Sequence, residues 1–570
     1  MNLLQYENII QSFEKTAEQY KSSIAVIEVG THIRAINYEQ LNCKANQYAN
    51  LLLSRKICSG TKIAISIYDK LEQISAMLGI LKAACCYVPI QNNLSQYAIL
   101  DVLKQSEAEY MISDNPVLSK LSFCKATIAP SETENYGTTS PGLSLAASMP
   151  AYCIMTSGTK GPFKDVTINH HGLFNTIQWR VKEYQYNQSD TTLQLLNESF
   201  DAYALNLYCS LLSGGRLVCL SNSSRWDIPL IIQTVIDFHI TNTSLTPSML
   251  RALLDFSSPE AWGSLRFVVI GGEKPDIYLA EICRDYFKNS EIIQEYGLTE
   301  CSIVSSYCRN WLNKDINNIG YAINNTDMFI LNDTEADNYG EICISGHCIA
   351  DGYGELLKAE GPLVYRTGDY GKMAEDGSLL YISRKDDQVK ISGYRFTIEA
   401  VETLLNTYDG MKDARVLVQE QSPSVKNLCV FYKTKEIIDI DILIKWLSSR
   451  LPYYMVPRKY IRIEEWPLTS NGKIDNKDLL SRLNTKIESS EPTNVIEELQ
   501  SIWSQLINHP INGIDTSFFD AGGNSLLLMD LFFALQAKYS DTITVNDLFE
   551  HNTIRQQAAF ITSITGIEEK

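Results

Sequence analysis

Residues 155–164, MTSGTKGPFK, combine hydroxyl groups, glycines and two lysines directly after an apolar run. Glycines let backbone N–H groups close around an anion, hydroxyls donate hydrogen bonds to its oxygens, and lysine adds a positive charge. This composition favours a phosphate-binding segment. It is not a P-loop, because Gly158 and Gly161 are three residues apart and no GK[ST] sequence follows. A glycine-rich surface turn has the same composition, so this segment alone leaves both interpretations open.

The elements around this segment predict a layered α/β region. Residues 5–22 have the periodicity of an amphipathic helix and residues 25–38 that of a strand pair, and helices then alternate with short apolar strands up to Ile90. Such alternation is typical of a largely parallel sheet, whose ligands bind at the carboxyl ends of the strands. The apolar residues 151–154 predict a strand that places residues 155–164 at this edge.

Several later segments are predicted to be strands that end in a polar or glycine-marked turn. If their sheet is parallel, these turns converge on one crevice. The segments are residues 197–201, 240–245, 267–273, 292–300 and 365–369.

Length and composition predict several domains. A chain of 570 residues exceeds what a single hydrophobic core organises. Residues 1–385 contain the large α/β region, and shorter strands and helices in residues 386–483 predict a smaller α+β unit. Residues 484–494 have one large aliphatic residue and are typical of a linker. Three helical patterns in residues 495–570 predict a small bundle, with Ser525 in a loop at the start of a helix.

Charge and cysteine content narrow the function classes. A net charge of −18 disfavours a general nucleic-acid or anionic-membrane binder, because such binding needs clustered lysine and arginine. The first 20 residues lack the cationic flank and apolar core of a signal peptide, and no apolar run reaches about 18 residues. Fourteen cysteines without CxxC pairs favour reduced thiols over disulfides or zinc. We therefore expect a cytoplasmic protein with a local phosphate site.

Six segments carry a family pattern in a fixed order. They are residues 81–89, 156–164, 296–300, 365–369, 384–395 and 471–475. In this order the chain resembles a nonribosomal peptide synthetase adenylation domain followed by a peptidyl carrier protein, within the adenylate-forming superfamily. The resemblance covers almost the whole chain. It implies activation of an amino acid as aminoacyl-AMP and its transfer to a thioester, with ATP, Mg²⁺ and a covalent 4′-phosphopantetheine.

The resemblance also implies individual roles. Around ATP it places Thr156, Ser157, Gly158, Thr159 and Lys164 at the β and γ phosphates, Thr299 at the α-phosphate, Glu300 at Mg²⁺, Tyr296 on adenine, and Asp369 with Arg384 at the ribose. Lys473 would approach both the substrate carboxylate and the α-phosphate, where one cation relieves the repulsion between two anions. We therefore expect Lys473, with Thr299 and Glu300, to carry the first step.

For the second step the resemblance implies a movement and an attachment point. Asp386 would be the hinge about which the smaller unit rotates, and Lys390 and Gly393 would lie on the face that admits the arm. Ser525 would carry the phosphopantetheine, whose thiol attacks the adenylate.

Three positions in or directly after the phosphate segment depart from the family pattern. Lys160 stands where threonine is usual, Phe163 where proline is usual, and Asp165 where glycine is usual. Because Asp165 adds a negative charge beside a triphosphate, we expect a raised Michaelis constant for ATP.

The substrate class follows from Asp201. In amino-acid-activating relatives an aspartate here pairs with the substrate ammonium, whereas acyl and aryl ligases lack it. The remaining pocket positions carry over as Ala202, Leu205, Ser244, Val269, Gly271, Glu295, Ile303 and Val304.

Glu295 is the one carboxylate among these pocket positions, and the walls around it are aliphatic. A buried glutamate needs a donor, and tyrosine offers an apolar ring with a hydroxyl at its tip. We therefore predict L-tyrosine as the substrate. Phenylalanine would be rejected by a factor on the order of 10⁴, because it would leave the Glu295 carboxylate without a hydrogen-bond donor. Ornithine or lysine remains an alternative, and so does pairing of Glu295 with a protein group.

The resemblance also implies partner enzymes, and two other functions compete with amino-acid activation. The carrier would need a phosphopantetheinyl transferase and a downstream condensation, tailoring or release enzyme; the sequence does not decide whether an MbtH-like protein is required. One competing function is an acyl- or aryl-acid ligase with a carrier, which Asp201 opposes. Another is a noncatalytic carrier scaffold, which the presence of Glu300, Asp369 and Lys473 opposes.

Overall fold

The computed structural model describes residues 8–565 apart from short gaps. The gaps are residues 92–93, 95, 116–117, 119–123, 159–160, 223, 225–226, 276, 332–338, 357–361, 385–387, 392–393, 423–424, 435–437, 452–454, 458, 465, 468–475, 482–494, 508–510, 512, 519–520, 522–524, 540–542, 544–546 and 549–550.

The α-helices are α1 (Ile9–Gln19), α2 (Tyr38–Ser54), α3 (Lys70–Lys82), α4 (Gln96–Ser106), α5 (His170–Glu183), α6 (Tyr203–Ser213), α7 (Ile228–Asp237), α8 (Pro247–Leu254), α9 (Ile277–Tyr286), α10 (Ile398–Leu405), α11 (Ile440–Ser448), α12 (Asn476–Ser481), α13 (Val495–Ile507), α14 (Ser525–Lys538) and α15 (Ile554–Thr565).

The strands are β1 (Ile24–Val29), β2 (Arg34–Asn37), β3 (Lys62–Ser66), β4 (Cys86–Pro89), β5 (Tyr110–Ser113), β6 (Ala126–Ile128), β7 (Pro150–Gly158), β8 (Gly161–Asn169), β9 (Thr191–Gln194), β10 (Arg216–Leu220), β11 (Asn242–Leu245), β12 (Phe267–Gly271), β13 (Glu291–Tyr296), β14 (Ser306–Cys308), β15 (Asn318–Ala322), β16 (Thr326–Leu331), β17 (Tyr339–Gly346), β18 (Glu355–Leu356), β19 (Leu363–Met373), β20 (Leu379–Arg384), β21 (Gln388–Ile391), β22 (Tyr394–Thr397), β23 (Met411–Ser422), β24 (Val425–Thr434) and β25 (Lys459–Arg462).

The chain divides into two compact units. The first unit is Met1–Ala400 with Ser449–Pro452, and the second is Val401–Ser448 with Tyr453–Lys570. None of the described helices combines the length and the hydropathy needed to cross a bilayer.

The larger sheet of the first unit has a parallel centre and antiparallel flanks. Among the described residues its strand order is β16-β17-β19-β20-β15-β14-β13-β12-β11-β9-β10-β1-β2, with β18 beside β19. Strands β13, β12, β11, β9, β10 and β1 pair in parallel. The strands from β14 to β20 pair antiparallel. The prediction of a largely parallel sheet is therefore confirmed for the centre, and antiparallel strands extend this sheet on both sides.

A second sheet carries the glycine-rich segment. Its order is β6-β5-β3-β4-β7-β8, and every pair is parallel except the last. Strand β7 extends to Gly158 and pairs antiparallel with β8 from Gly161, so the described residues of the segment 155–164 lie at the carboxyl end of β7 and the start of β8. Side chains alternate along β8, where Val166 and Ile168 are buried and Lys164 is exposed.

Polar caps fix where the helices of this unit begin. Asn37 and Gln40 form a capping box at the start of α2. Asn169 starts α5 by accepting a hydrogen bond from the backbone N–H of Gly172 at 2.9 Å. The predicted first helix is shorter than residues 5–22, because Asn8 caps it and Tyr20 ends it.

Within the described residues the second unit contains a small sheet, helices α11 and α12, and the carrier helices α13, α14 and α15. Strands β23, β24 and β25 pair in that order. Helices α13, α14 and α15 confirm the three helical patterns predicted after residue 495. Trp503 lies at their centre, where its indole donates to Gln557 at 2.9 Å and its ring packs 4.8 Å from Phe518. The predicted linker, residues 484–494, lies outside the described residues.

Candidate functional site

The hairpin tip presents part of the predicted phosphate segment. Thr156 pairs with Lys164 across β7 and β8, and its hydroxyl donates to the Lys164 carbonyl at 3.2 Å. The Lys164 ammonium lies 4.3 Å from the centre of the Tyr353 ring, so an aromatic face holds this cation at the tip. The backbones of Ser157 and Gly158 complete β7, whereas Thr159 lies outside the described residues.

Asp165 is matched by a cation rather than left beside the hairpin as an isolated charge. Its carboxylate lies 3.0 Å from the ammonium of Lys62, the first residue of β3. The Tyr353 hydroxyl also donates to the backbone carbonyl of Asp165 at 2.9 Å. The negative charge that departs from the family pattern is thus offset by Lys62.

The segment after β13 is held in a strained conformation. A side chain at Gly297 would come within 1.9 Å of the Ile303 carbonyl, so only glycine fits there. Ile303 has a φ of +79°, which for a β-branched residue costs about 1–3 kcal/mol. Hydrogen bonds secure the neighbouring Ser302, whose hydroxyl donates to Cys348 and whose carbonyl accepts from Thr176. These hydrogen bonds and the close approach of Gly297 hold the strained Ile303 at a predicted pocket position.

The predicted nucleotide residues Tyr296 and Asp369 lie together. The Tyr296 hydroxyl donates to the Asp369 carboxylate at 2.7 Å, and Asp369 is 4% exposed. Strand pairing places Arg384 of β20 opposite Asp369. Residues 365–369 were predicted to be a strand that ends in a glycine-marked turn. They instead lie in the middle of the antiparallel strand β19, where Gly368 has a φ of +72°. A bulge, not a chain reversal, explains the glycine.

The pocket positions gather at the carboxyl ends of β11, β12 and β13 and at the start of α6. Asp201 precedes α6, and its carboxylate accepts from the backbone N–H of Ala202 at 2.7 Å. Register pairs Ser244 with Val269 and Gly271 with Glu295. Leu205, Ile303 and Val304 are buried.

Glu295 already has a protein partner. Its Oε1 accepts from Arg180 Nε at 2.8 Å and from the Tyr184 hydroxyl at 2.9 Å. Arg180 Nη2 donates to Ser244 at 2.7 Å, and Ser244 donates to Asn206 at 2.7 Å. The reasoning that Glu295 must find its donor on the substrate is therefore wrong, because α5 supplies that donor. The alternative of pairing with a protein group is confirmed.

Electrostatics keep this network in a defined charge state. Burial alone would lower the pKa of the Arg180 guanidinium, but the Glu295 carboxylate beside it holds that pKa well above its ordinary value. Burial, followed by the charge of Glu295, raises the pKa of the Tyr184 hydroxyl well above its usual range. Arg180 is thus a cation and Tyr184 a neutral donor.

Two contacts hold the loop that precedes Asp201. The Lys70 ammonium forms a buried ion pair with Glu198 at 3.3 Å, with side chains 6% and 3% exposed. The Gln91 amide donates to the Ser199 hydroxyl at 2.9 Å. Like Arg180, these residues were not predicted, because partners more than 100 positions apart leave no local pattern.

Some predicted residues are placed only in part. Arg384 is in β20, Lys390 is in β21, and Ser525 is the first residue of α14. The residues outside the described part are Lys473, Asp386, Gly393 and Thr159. Their roles remain predictions.

The donor set fits a magnesium ion that arrives with a nucleotide. Within the described residues no group of three or more His, Cys, Asp or Glu side chains could enclose a metal. Glu300, which is 7% exposed in a short 3₁₀-helix, offers one carboxylate. Mg²⁺ is commonly held by one or two carboxylates together with phosphates and waters, so a single protein ligand is sufficient.

Two known protein families match separate regions of the chain. The AMP-binding enzyme family matches residues 13–354, and the phosphopantetheine attachment site matches residues 497–561. A plipastatin synthase component of Bacillus subtilis is 32% identical over 98% of this chain and 22% of its own length. Gramicidin S synthase 2 of Brevibacillus brevis is 32% identical over 98% of this chain and 13% of its own length. The chain thus spans about a fifth or less of these two relatives.

Solved structures confirm the predicted fold. Holo-PA1221, an NRPS protein with adenylation and PCP domains bound to a vinylsulfonamide inhibitor, matches with a TM-score of 0.79 at 24% identity, over 99% of this chain and 98% of that one. An artificially fused adenylation-PCP didomain from Klebsiella oxytoca matches with a TM-score of 0.71 at 23% identity, over 97% and 98%.

Proposed function

Since the chain belongs to the family of AMP-binding enzymes and ends in a phosphopantetheine attachment domain, we propose that it activates an amino acid with ATP and loads it onto its own carrier. The observation that carries this proposal is the position of Asp201 directly before α6, the helix whose Asn206 accepts a hydrogen bond from Ser244 of the pocket strand β11. A carboxylate there provides the counter-charge for an α-ammonium. An acyl or aryl acid has no group for it to bind.

Different residues of the chain would bind the parts of ATP and the substrate carboxylate during adenylation. Lys164 and Thr156 would bind the triphosphate at the hairpin tip, and Glu300 would bind its magnesium. Tyr296 and Asp369 would orient the nucleoside, and Lys473 would neutralise the repulsion between carboxylate and α-phosphate. The phosphopantetheine on Ser525 would supply the thiol that accepts the aminoacyl group.

We infer L-tyrosine as the substrate, on a basis that differs from an unpaired Glu295. Both hydrogen bonds to Glu295 end on Oε1, and within the described residues none ends on Oε2. Oε2 can therefore accept from a substrate hydroxyl. Because Arg180 already neutralises the carboxylate, a neutral donor suits the site better than the ammonium of ornithine or lysine.

Amino-acid-dependent pyrophosphate exchange tests this substrate. L-tyrosine is expected to give the highest kcat/KM among the twenty amino acids and ornithine. Phenylalanine should be lower by about tenfold to a hundredfold, since one hydrogen bond to a charged group is worth about 1.5–3 kcal/mol. The ratio should fall short of 10⁴ because Glu295 keeps Arg180 when phenylalanine binds. A best substrate without a side-chain donor would overturn the tyrosine assignment.

The Lys62–Asp165 pair predicts a change in ATP binding. In Lys62→Met, Asp165 loses its counter-charge beside the triphosphate, and the Michaelis constant for ATP should rise by roughly threefold to tenfold, or about 0.7–1.4 kcal/mol. Initial rates at varied ATP and saturating amino acid measure the effect. Adding Asp165→Gly should restore the original constant. Lys125→Met is the control, since Lys125 pairs with the exposed Glu109; equal increases in both variants would contradict the explanation.

The proposed thioester needs one partner that installs the phosphopantetheine arm and another that takes the aminoacyl group from it. A phosphopantetheinyl transferase would modify Ser525, and a condensation, tailoring or release enzyme would take the aminoacyl group. Two features support this: the match to a phosphopantetheine attachment site, and relatives that are several times longer than this chain. A noncatalytic scaffold would show no ATP-dependent pyrophosphate exchange with any amino acid.

A further inference from the structure

We propose that Arg180 is a specificity-determining residue that sets the charge of the side chain the pocket accepts, and that it acts by positioning and neutralising Glu295. The proposal deepens the proposed amino-acid activation and rests on it. Arg180 is outside the pocket positions carried over from the family, so it is a separate determinant.

The geometry places Arg180 behind the pocket wall rather than in it. Its side chain is 0% exposed, whereas that of Glu295 is 7% exposed. Arg180 Nε and Nη2 donate to Glu295 and Ser244, which lie on β13 and β11. One guanidinium therefore joins two pocket residues from helix α5. A substrate would meet Glu295 directly and Arg180 only through it.

Stability alone gives little reason for this arrangement. A buried ion pair is often no more stabilising than apolar side chains of the same volume. Burial disfavours the charged form of the Arg180 guanidinium, which adds a desolvation cost. A residue that is costly at a helix–sheet interface and touches two pocket positions is better explained by selection of the substrate.

The charge balance around Glu295 follows from the groups that surround it. Besides Glu295, the ionisable groups that act on Arg180 are Tyr184, Tyr186 and Cys209. Burial raises the pKa of both tyrosines, and it raises the pKa of Cys209 to about 12, so all three are neutral near pH 7. The network as a whole is therefore neutral, with one cation and one anion 2.8 Å apart.

This balance has opposite consequences for the two substrate classes. A hydroxyl needs only an acceptor, which Glu295 Oε2 provides. An ammonium would be desolvated against a carboxylate whose charge is already matched, with the Arg180 cation behind it. Without Arg180 the same carboxylate would leave a net negative charge in the wall, and an ammonium would become the favoured partner.

The test compares substrates across three variants. Pyrophosphate exchange is measured with L-tyrosine, L-phenylalanine, L-lysine and L-ornithine in the full chain. Arg180→Met should lower kcat/KM for tyrosine by about 10²-fold and raise the lysine-to-tyrosine ratio by about 10²-fold, consistent with an uncompensated buried charge. Arg180→Met with Glu295→Gln should restore the preference for tyrosine over lysine. The lysine-to-tyrosine ratio of Arg180→Lys should lie between those of wild type and Arg180→Met. Lysine keeps the positive charge but cannot form both hydrogen bonds, to Glu295 and to Ser244, in the geometry of the guanidinium.

The outcomes separate a specificity role from a structural one. If Arg180→Met lowers kcat/KM by the same factor for all four substrates, Arg180 only supports the fold and the proposal is overturned. If Arg180→Met does not fold, Arg180→Met with Glu295→Met replaces the pair by apolar groups. That variant should lose the tyrosine-to-phenylalanine preference but still reject lysine, and retention of the preference would overturn the proposal.

Failure of the proposed function looks different. Wild type that exchanges with no amino acid would refute amino-acid activation, and the inference with it. Wild type that prefers lysine or ornithine would leave activation intact and overturn the role of Arg180.

Discussion

Replacing Asp201 with alanine is expected to lower kcat/KM for the amino acid by on the order of 10³-fold in pyrophosphate exchange. Removing one partner of a buried ion pair costs about 3–5 kcal/mol, because the remaining charge, here the substrate ammonium, loses its compensation. The loop before α6 is already fixed by the Lys70–Glu198 and Gln91–Ser199 contacts, so the Glu198 carboxylate is held by Lys70 and does not take the place of Asp201.

A substrate that lacks the ammonium provides the matched control. With 3-(4-hydroxyphenyl)propionate in place of L-tyrosine, the kcat/KM values of wild type and Asp201→Ala should differ by less than about threefold. This substrate has no ammonium group that Asp201 could compensate. The variant should therefore narrow the gap between the two substrates. An equal loss with both would mean that Asp201 supports the loop instead of binding the ammonium, and the choice of an amino acid over another carboxylic acid would lose its main support.

The parts of the fold that sequence predicted are those whose cause is local. Alternation of apolar strands and helices predicted the parallel centre, and turns after β11, β12 and β13 predicted where the pocket residues meet. The antiparallel pairing of β7 with β8 was not predicted, because the composition of residues 155–164 fits a surface turn or a phosphate-binding segment and does not specify a second strand. The alternating Val166 and Ile168 were the available signal.

The error about Glu295 has a specific physical origin. Whether a buried carboxylate needs a donor depends on a partner that lies 115 positions away in sequence. A signal was nevertheless present: Leu173, Ile177, Arg180 and Tyr184 follow the spacing of one helix face, and all four are buried. A charged residue on the apolar stripe of a helix is expensive, so its position alone marks a buried counter-charge elsewhere. Sequence could have located Arg180 but not named its partner.

Replacing Ser525 with alanine is expected to abolish covalent loading while leaving pyrophosphate exchange within about twofold, because the two sites are independent. Ser525 is the first residue of α14, and the first turn of that helix contains no acidic residue. The first turn of α13, by contrast, contains Glu497 and Glu498. A phosphodiester on Ser525 would thus lie at the positive end of a helix whose first turn has no anion to repel it.

Intact-mass measurement after treatment with a broad-range phosphopantetheinyl transferase and coenzyme A decides where the arm is attached. Wild type should gain one modification, and a further aminoacyl mass when ATP and the amino acid are added; Ser525→Ala should gain neither. Ser517→Ala is the matched control, because Ser517 lies in the same region and its backbone forms a bridge with Thr553. Modification that survives in Ser525→Ala would place the arm elsewhere. Loss of exchange together with loading would instead mean that the substitution disturbs more than the carrier, since adenylation requires only residues outside α14.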